Sequence, residues 1–401
     1  MCSRKLLVVP GACNALGGTL VTLSLLIEGF IEQGKVDAIQ VLVSADSVMQ
    51  HYLTLAGYAS VLEIIPNRGT SHFLSNALKW IAQAPVEWPL LLDNCVERSL
   101  LLDLIAAAPQ LRLSGRPVYH FCHDLALSYN ALGCWSRKLA FGLLKPKAIC
   151  NSHFTKRHIQ SLIADVAGVL YQPVDLEKFT PTLRVQPPTP PAVLAPILAS
   201  GARIMLTPSR INLAGIVNDK NLRGLIPVLV ELKQKGAFYH GVIIGEDRSP
   251  DQTNSKVLME EAARFNVEDC FTILPPTFDI EQFYAFTDVV VTLAPREPFG
   301  RVVVEAIACG VPVIGSNTGG IGEVLGQVAP QWQIDPDSPA IVAQTILRVA
   351  EDPHTSATLQ TARHWVEDHC STARYAQQIM ELTGIANHPE NHVPLLSSLS
   401  S

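Results

Sequence analysis

Short apolar runs of Val, Ile and Leu alternate with stretches of helical periodicity along almost the whole chain, and few architectures accommodate that rhythm. The runs are Leu6–Val9, Ile39–Val43, Pro89–Leu92, Val118–Phe121, Ala148–Cys150 and Val169–Tyr171, then Arg203–Thr207, Tyr239–Ile244, Phe271–Leu274, Asp288–Thr292 and Val311–Ile314. Near-continuous apolar runs of this length suit strands buried on both faces, and strands that alternate with helices such as Asn221–Lys235 and Arg301–Cys309 form βαβ units with a parallel sheet. The rhythm breaks once, in the Pro-dense stretch from Pro181 to Ala199. An α/β protein of two Rossmann-like domains facing a cleft follows. We expect a first domain over 1–180, a linker over 181–199, a second domain over 200–368 and a flexible tail over 385–401. In open α/β sheets ligands bind beyond the carboxyl ends of the strands, so a nucleotide and a second substrate can meet between such domains.

Composition removes several alternatives. Of 401 residues 48% are hydrophobic and 16% charged, enough apolar material to bury two cores and too much for a disordered chain. A net charge of -6 argues against a duplex nucleic-acid partner, which needs a broad basic surface. Nine cysteines, an odd number with no CxxC pair, read as reduced thiols of a cytoplasmic protein. The uncharged stretch Leu6 to Ile27 resembles a membrane anchor in composition, but Pro10, Gly11, Asn14, Gly17 and Gly18 interrupt it. It reads as a buried strand, a Gly-rich turn and a helix from about Thr19, and no transmembrane helix is expected.

The segment Thr287 to Leu325 carries most of the chemistry. Glu297 precedes a helix and Glu305 lies within it, eight positions on. Pro298 and Gly300 fit a tight loop whose free N–H groups, with a helix N-terminus behind them, receive an anionic phosphate. Two carboxylates beside it can accept hydrogen bonds from sugar and ribose hydroxyls. A strand, loop and helix with two carboxylates is equally an ordinary βα crossover.

The surrounding residues decide between these readings. E-x-F-G, then V-E-A-x-A-x-G-x-P-V-I, then a Gly-Gly-x-x-E turn are all present, and together they resemble the C-terminal signature of family 4 retaining glycosyltransferases of the GT-B fold. The resemblance spans about Leu6 to Gly384. It implies that Glu297 acts on the donor sugar, that Glu305 holds the ribose, and that the amides around Phe299, Gly300, Arg301 and Val302 contact diphosphate or sugar. Ser209-Arg210 and Lys220-Asn221 resemble the family's R…K-N/G pattern, so Arg210 and Lys220 would stabilise the leaving nucleoside diphosphate. Many members carry an apolar residue where Arg301 stands, and the loop INLAGIVND before Lys220 is longer than the family's usual connection. His123-Asp124, after the strand Val118–Cys122, resembles the family's histidine at the cleft edge, with its imidazole on the donor sugar. Gly17-Gly18 matches the early Gly-Gly turn, where the missing Cβ lets backbone approach the donor or acceptor. In GT-B enzymes of this kind the last helix, here 369–384, crosses back to the first domain, with Tyr375, Ile379 and Leu382 as its anchoring face.

Asp335-Pro336-Asp337 has the D-x-D form of a metal-binding pair, but an acidic N-cap explains it more simply, and neither a metal nor a cofactor is assigned. The segment 134–158 mixes Trp135, Phe141, Leu143 and Leu144 with Arg and Lys residues, and reads either as a solvated helix with one core face or as a peripheral contact with an anionic membrane. The expected activity is transfer of a hexose from a UDP- or GDP-sugar to a sugar or lipid acceptor. A nucleotide-sugar 2-epimerase of the same fold and a non-catalytic nucleotide-sugar-binding protein are the alternatives.

Overall fold

Leu6, Leu7, Val8 and Val9 are all fully buried, as residues of a strand covered on both faces must be. They lie in β1 (Leu6–Pro10), near the middle of a sheet with β2 (Ile39–Ser44), β3 (Leu62–Ile65), β4 (Leu90–Asp93), β5 (Val118–Cys122), β6 (Lys147–Cys150) and β7 (Val166–Val169). The computed structural model describes residues 4–14, 17–66, 73–127, 131–213 and 220–385. The strand order is β3-β2-β1-β4-β5-β6-β7, with every pairing parallel. A second parallel sheet contains β8 (Arg203–Pro208), β9 (Tyr239–Ile244), β10 (Phe271–Leu274), β11 (Val289–Thr292), β12 (Val313–Ser316) and β13 (Gln333–Ile334), in the order β10-β9-β8-β11-β12-β13. Two such Rossmann-like sheets with helices between their strands constitute the GT-B fold.

Among the strands, the departures from the sequence reading fall on sheet edges. β3 is not among the runs read from the sequence: Glu63 interrupts its apolar residues, and as an edge strand covered on fewer sides it leaves Ile64 48% exposed. β7 pairs over Val166–Val169 rather than Val169–Tyr171, and none of its residues is fully buried. β13 is only two residues long. The Pro-dense stretch carries two short helices, Thr182–Val185 and Ala195–Ala199, and buries Leu194 and Ile197 in the second core.

The C-terminal segment ties the cores together. The helix Thr355–Cys370 buries Ala362, Val366 and Cys370 in the second core. The chain then turns at Ser371, whose extended backbone ends that helix, and pairs there with Val174. The last helix, Thr372–Thr383, starts three residues later than its sequence suggested and places Tyr375, Ala376, Ile379 and Met380 in the first core, with Leu382 partly buried beside them. It packs on the helix Gly18–Glu32, and a Cβ on Gly29 would lie 2.6 Å from Thr372 O, so the glycine permits the close approach. Burying each large apolar side chain here stabilises the docked helix by roughly 1.5–3 kcal/mol.

Candidate active site

In each sheet the strand order reverses at one point, between β1 and β4 in the first and between β8 and β11 in the second. Loops leaving the strands on either side of such a point diverge and open a crevice. The two crevices face each other, because residues that follow the strands of one sheet bond to residues that follow the strands of the other. Ser152 Oγ, just after β6, donates to Pro298 O, after β11, at 2.5 Å. Arg301 Nη1 donates to Pro173 O at 3.1 Å, and its other terminal nitrogen bonds Thr22 Oγ1 near the start of the helix Gly18–Glu32.

On the second-domain side, the reversal gathers Arg210 after β8 and Glu297 after β11. Lys220 Nζ bonds Glu297 Oε2, and the two side chains are 18% and 25% exposed, so the pair is set at a mouth rather than in a core. Arg210 is exposed. Residues 214–219 of the long loop before Lys220 lie outside those residues. Gly300 takes the left-handed conformation, φ 90°, and caps the helix Arg301–Ala308. A side chain there would be strained and would lie 2.8 Å from Ile321 Cγ1. The first-turn amides of that helix, those of Arg301 and Val302 among them, have no partner within it and can receive an anion.

The loop is held from beneath by Gly319 and Gly320. Gly320 N donates to Glu297 O at 2.7 Å, and a Cβ on Gly320 would lie 2.4 Å from Phe299 Cα. Phe299 is 2% exposed and stacks on Tyr171 at 5.8 Å, so its side chain is an anchor and only its backbone can serve a ligand.

Glu305 differs from Glu297. It is 8% exposed, the Tyr284 hydroxyl donates to it at 3.4 Å, and burial holds its carboxyl above the usual range against the opposing pull of Arg301. Arg301 points toward the first domain. Its guanidinium contacts Gly18 O at 3.5 Å besides its bonds to Thr22 and Pro173, and burial lowers its affinity for the proton.

On the first-domain side, His123 follows β5. Its Nδ1 faces the Gln172 side-chain amide nitrogen at 2.9 Å, which can only donate, so Nε2 carries the proton and donates to Asp93 Oδ1 at 2.5 Å. The ring stacks on Phe121 at 4.4 Å, and the His123 carbonyl accepts from Asn151 Nδ2 at 2.9 Å. Both ring nitrogens are therefore committed to protein partners. Asp124 accepts from Asn94 Nδ2 at 3.2 Å and from the Ala126 amide at 2.6 Å, which shapes the loop after His123. Gly17 has no atom within 4 Å of where a Cβ would stand, and Gly18 has only Arg301 Nε at 3.8 Å. The sequence reading gave no role to Asp93, Asn94 or Gln172. Polar Asp93-Asn94 closing the apolar run of β4 was the available signal, because that is where ligand-facing side chains leave a buried strand.

Asp335 closes a local turn instead of capping a helix, accepting from the Asp337 amide at 3.1 Å and from Ser338 Oγ at 3.2 Å. Among the described residues no group of three or more His, Cys, Asp or Glu is arranged to hold a metal ion. No helix among them is long and apolar enough to cross a membrane.

Comparison with known proteins shows what the chain is similar to. Residues 208–367, which contain Arg210, Lys220, Glu297 and Glu305, match the family model described as Glycosyl transferases group 1. The chain is 28% identical over 157 residues to a 2-deoxystreptamine glucosyltransferase of Streptomyces kanamyceticus, covering 38% of this chain and 39% of that protein. It is 31% identical over 263 residues to a D-inositol 3-phosphate glycosyltransferase of Mycolicibacterium vanbaalenii, covering 61% of this chain and 55% of that one. The chain thus matches between about two fifths and about half of the length of these curated relatives. The crystal structure of Anabaena HepE in complex with UDP superposes with a TM-score of 0.74 at 20% identity, over 95% of this chain and 100% of that one.

Proposed function

We propose that the chain is a family 4 retaining glycosyltransferase that moves a hexose from a UDP- or GDP-sugar to a sugar or lipid acceptor. The observation that carries this reading is the Lys220–Glu297 pair at the β8/β11 reversal, beside the exposed Arg210 and the amide-lined start of the helix Arg301–Ala308. Such a set has one use that fits all its parts. The cations and amides receive a diphosphate, and the carboxylate receives hydroxyls of the sugar attached to it. As the bond from sugar to phosphate breaks, negative charge grows on the phosphate toward Arg210, Lys220 and the helix end, and positive charge grows on the sugar toward Glu297. Glu305 has a supporting part, holding the ribose from its buried position.

UDP-glucose is the first donor to test, because HepE has also been crystallised in complex with UDP-glucose and the Streptomyces relative is named a glucosyltransferase. The cationic groups occupy the place a metal would take, so the proposed reaction needs no divalent ion and no cofactor. A lipid acceptor would be met on the helix Ala131–Leu144, where Leu132, Trp135 and Leu143 are exposed beside Lys138 and Lys145. Arg137 takes no part in that surface, since it donates to the carbonyls of Val96, Ala126 and Leu127.

The test is incubation of the purified chain with UDP-glucose, UDP-galactose and GDP-mannose in excess EDTA. We expect release of the nucleoside diphosphate from one donor, and a transferred sugar that keeps the donor's anomeric configuration by NMR. Conversion of a donor to its epimer without release of nucleotide would favour the epimerase. Binding of a nucleotide without turnover on any acceptor class would leave a binding protein. Rescue of activity by manganese after EDTA treatment would overturn the metal-free mechanism.

A further inference from the structure

Glu323, from the helix Gly319–Val328, reaches out of the second domain and takes up three donors of the first. Its Oε1 accepts from the His153 amide at 2.8 Å and from the Tyr171 hydroxyl at 3.1 Å, and its Oε2 accepts from the Phe154 amide at 2.8 Å. Two residues beside those amides make the return connection. Ser152 and Thr155 are fully buried, and both hydroxyls donate to Pro298 O, at 2.5 Å and 3.2 Å. The circuit closes inside the second domain, where Gly320 N, on the same helix as Glu323, donates to Glu297 O. The loop that carries Glu297 is therefore bonded at consecutive carbonyls, one to its own domain and one to the other.

We propose that Glu323, Ser152 and Thr155 form an interdomain latch that positions the Glu297–Gly300 loop, so that the docked pair of domains, rather than the second domain alone, fixes where Glu297 stands. These are positioning residues, and their importance for a sugar donor rests on the reading of Glu297 given above. A carboxylate is required at 323 by donor arithmetic. Three N–H or O–H groups converge on it, and the amide of a glutamine would aim its own N–H at one of them. A charge-assisted contact of this kind is stronger than a neutral one.

The test is hydrogen–deuterium exchange on the full chain. In Glu323→Gln, the amides of residues 153–156 and those of residues 297–302 should both exchange faster, by about tenfold, as expected for the loss of one charge-assisted contact. Tyr171→Phe should show a smaller change in both segments. Thr155→Val should loosen 297–302 more than 153–156, and it keeps the proposal testable if Glu323→Gln folds poorly. Equal protection of 297–302 in wild type, Glu323→Gln and Thr155→Val would overturn the latch, as would loosening confined to 153–156. Calorimetric titration of each variant with UDP separates the two questions. Exchange coupling without UDP binding would uphold the latch and refute the donor site, while UDP binding without coupling would do the reverse.

Discussion

The two sides of the crevice satisfy their polar groups in opposite ways. On the first-domain side His123 is closed in by Asp93, Gln172, Phe121 and Asn151, with both ring nitrogens and the carbonyl already bonded. On the second-domain side Arg210 is exposed, the Lys220–Glu297 pair is part-exposed, and the start of the helix Arg301–Ala308 offers amides that the helix itself cannot use. A polar network closed on itself is rigid and specifies shape, whereas part-exposed charges at a mouth can exchange their partners for a ligand at modest cost. On the function proposed above, the second domain holds the groups that would bind and stabilise charge, and the first supplies a fixed wall.

The largest effect that would break this comparison is at Glu297. Glu297→Gln keeps the shape but loses the charge that faces a developing cation, so kcat should fall by about 10²–10³-fold, the scale for removal of one preorganised group. Affinity for UDP, measured by calorimetry, should change by less than about threefold, because the diphosphate is held by other groups. An unchanged kcat would remove the chemistry from the second-domain side.

Acid separates the two sides next. His120, in β5 beneath His123, is fully buried and packs edge-on against Phe141, and burial pushes its pKa down from 6.5 to about 4. The folded state therefore favours the neutral ring, while the unfolded chain binds a proton below its ordinary value. The contribution is fully present above about pH 6.5 and is lost as pH falls toward 4, amounting to on the order of 3 kcal/mol. Glu305 works in the opposite sense. Its folded pKa is raised by burial, so its contribution is present at low pH and is lost as pH rises through the folded value. Urea unfolding between pH 7 and pH 4 should show falling stability, and His120→Gln should flatten the slope. A wild-type slope retained in that variant would assign the acid sensitivity elsewhere.

Each side also has a glycine pair, and the pairs should respond differently. Gly320→Ala places a methyl 2.4 Å from Phe299 Cα and 2.5 Å from Pro298 O, both backbone atoms, so the loop must move. We expect a loss of about 1–3 kcal/mol in urea unfolding together with reduced activity. Gly17→Ala meets nothing within 4 Å, and its stability should stay within about 0.5 kcal/mol of wild type. A marked loss of activity in Gly17→Ala at unchanged stability would show that a ligand passes close to that turn.

The same contrast explains what could be read from sequence. Glu297, Pro298, Gly300 and Glu305 lie within one strand, loop and helix, so their spacing and neighbours were visible together. The wall around His123 draws Asp93, Gln172 and Asn151 from separate strand ends, and strand order, which no local pattern encodes, brings them side by side. Central strands were legible because burial on both faces demands continuous apolar runs, while the edge strands β3 and β13 escaped because it does not. The direction of Arg301 was also out of reach of the sequence, since its partners Thr22 and Pro173 lie in the other domain and at the crossing.

A substitution at Asp93 asks whether the wall needs a charge or only a hydrogen bond. The Nε2–H of His123 must have an acceptor, because Gln172 occupies the other nitrogen as a donor. Asp93→Asn retains an oxygen that can accept this proton, so the tautomer and the stacking on Phe121 should survive, at a cost of about 1 kcal/mol in stability and less than about tenfold in kcat. Asp93→Ala leaves a buried N–H without a partner and should cost about 1–3 kcal/mol, with a larger loss of kcat as the ring is freed to turn. Urea unfolding and steady-state rates on the same preparations give both numbers. If the asparagine variant is as damaged as the alanine variant, the carboxylate acts through its charge, and the first-domain side takes part in the electrostatics that we assign to the second alone.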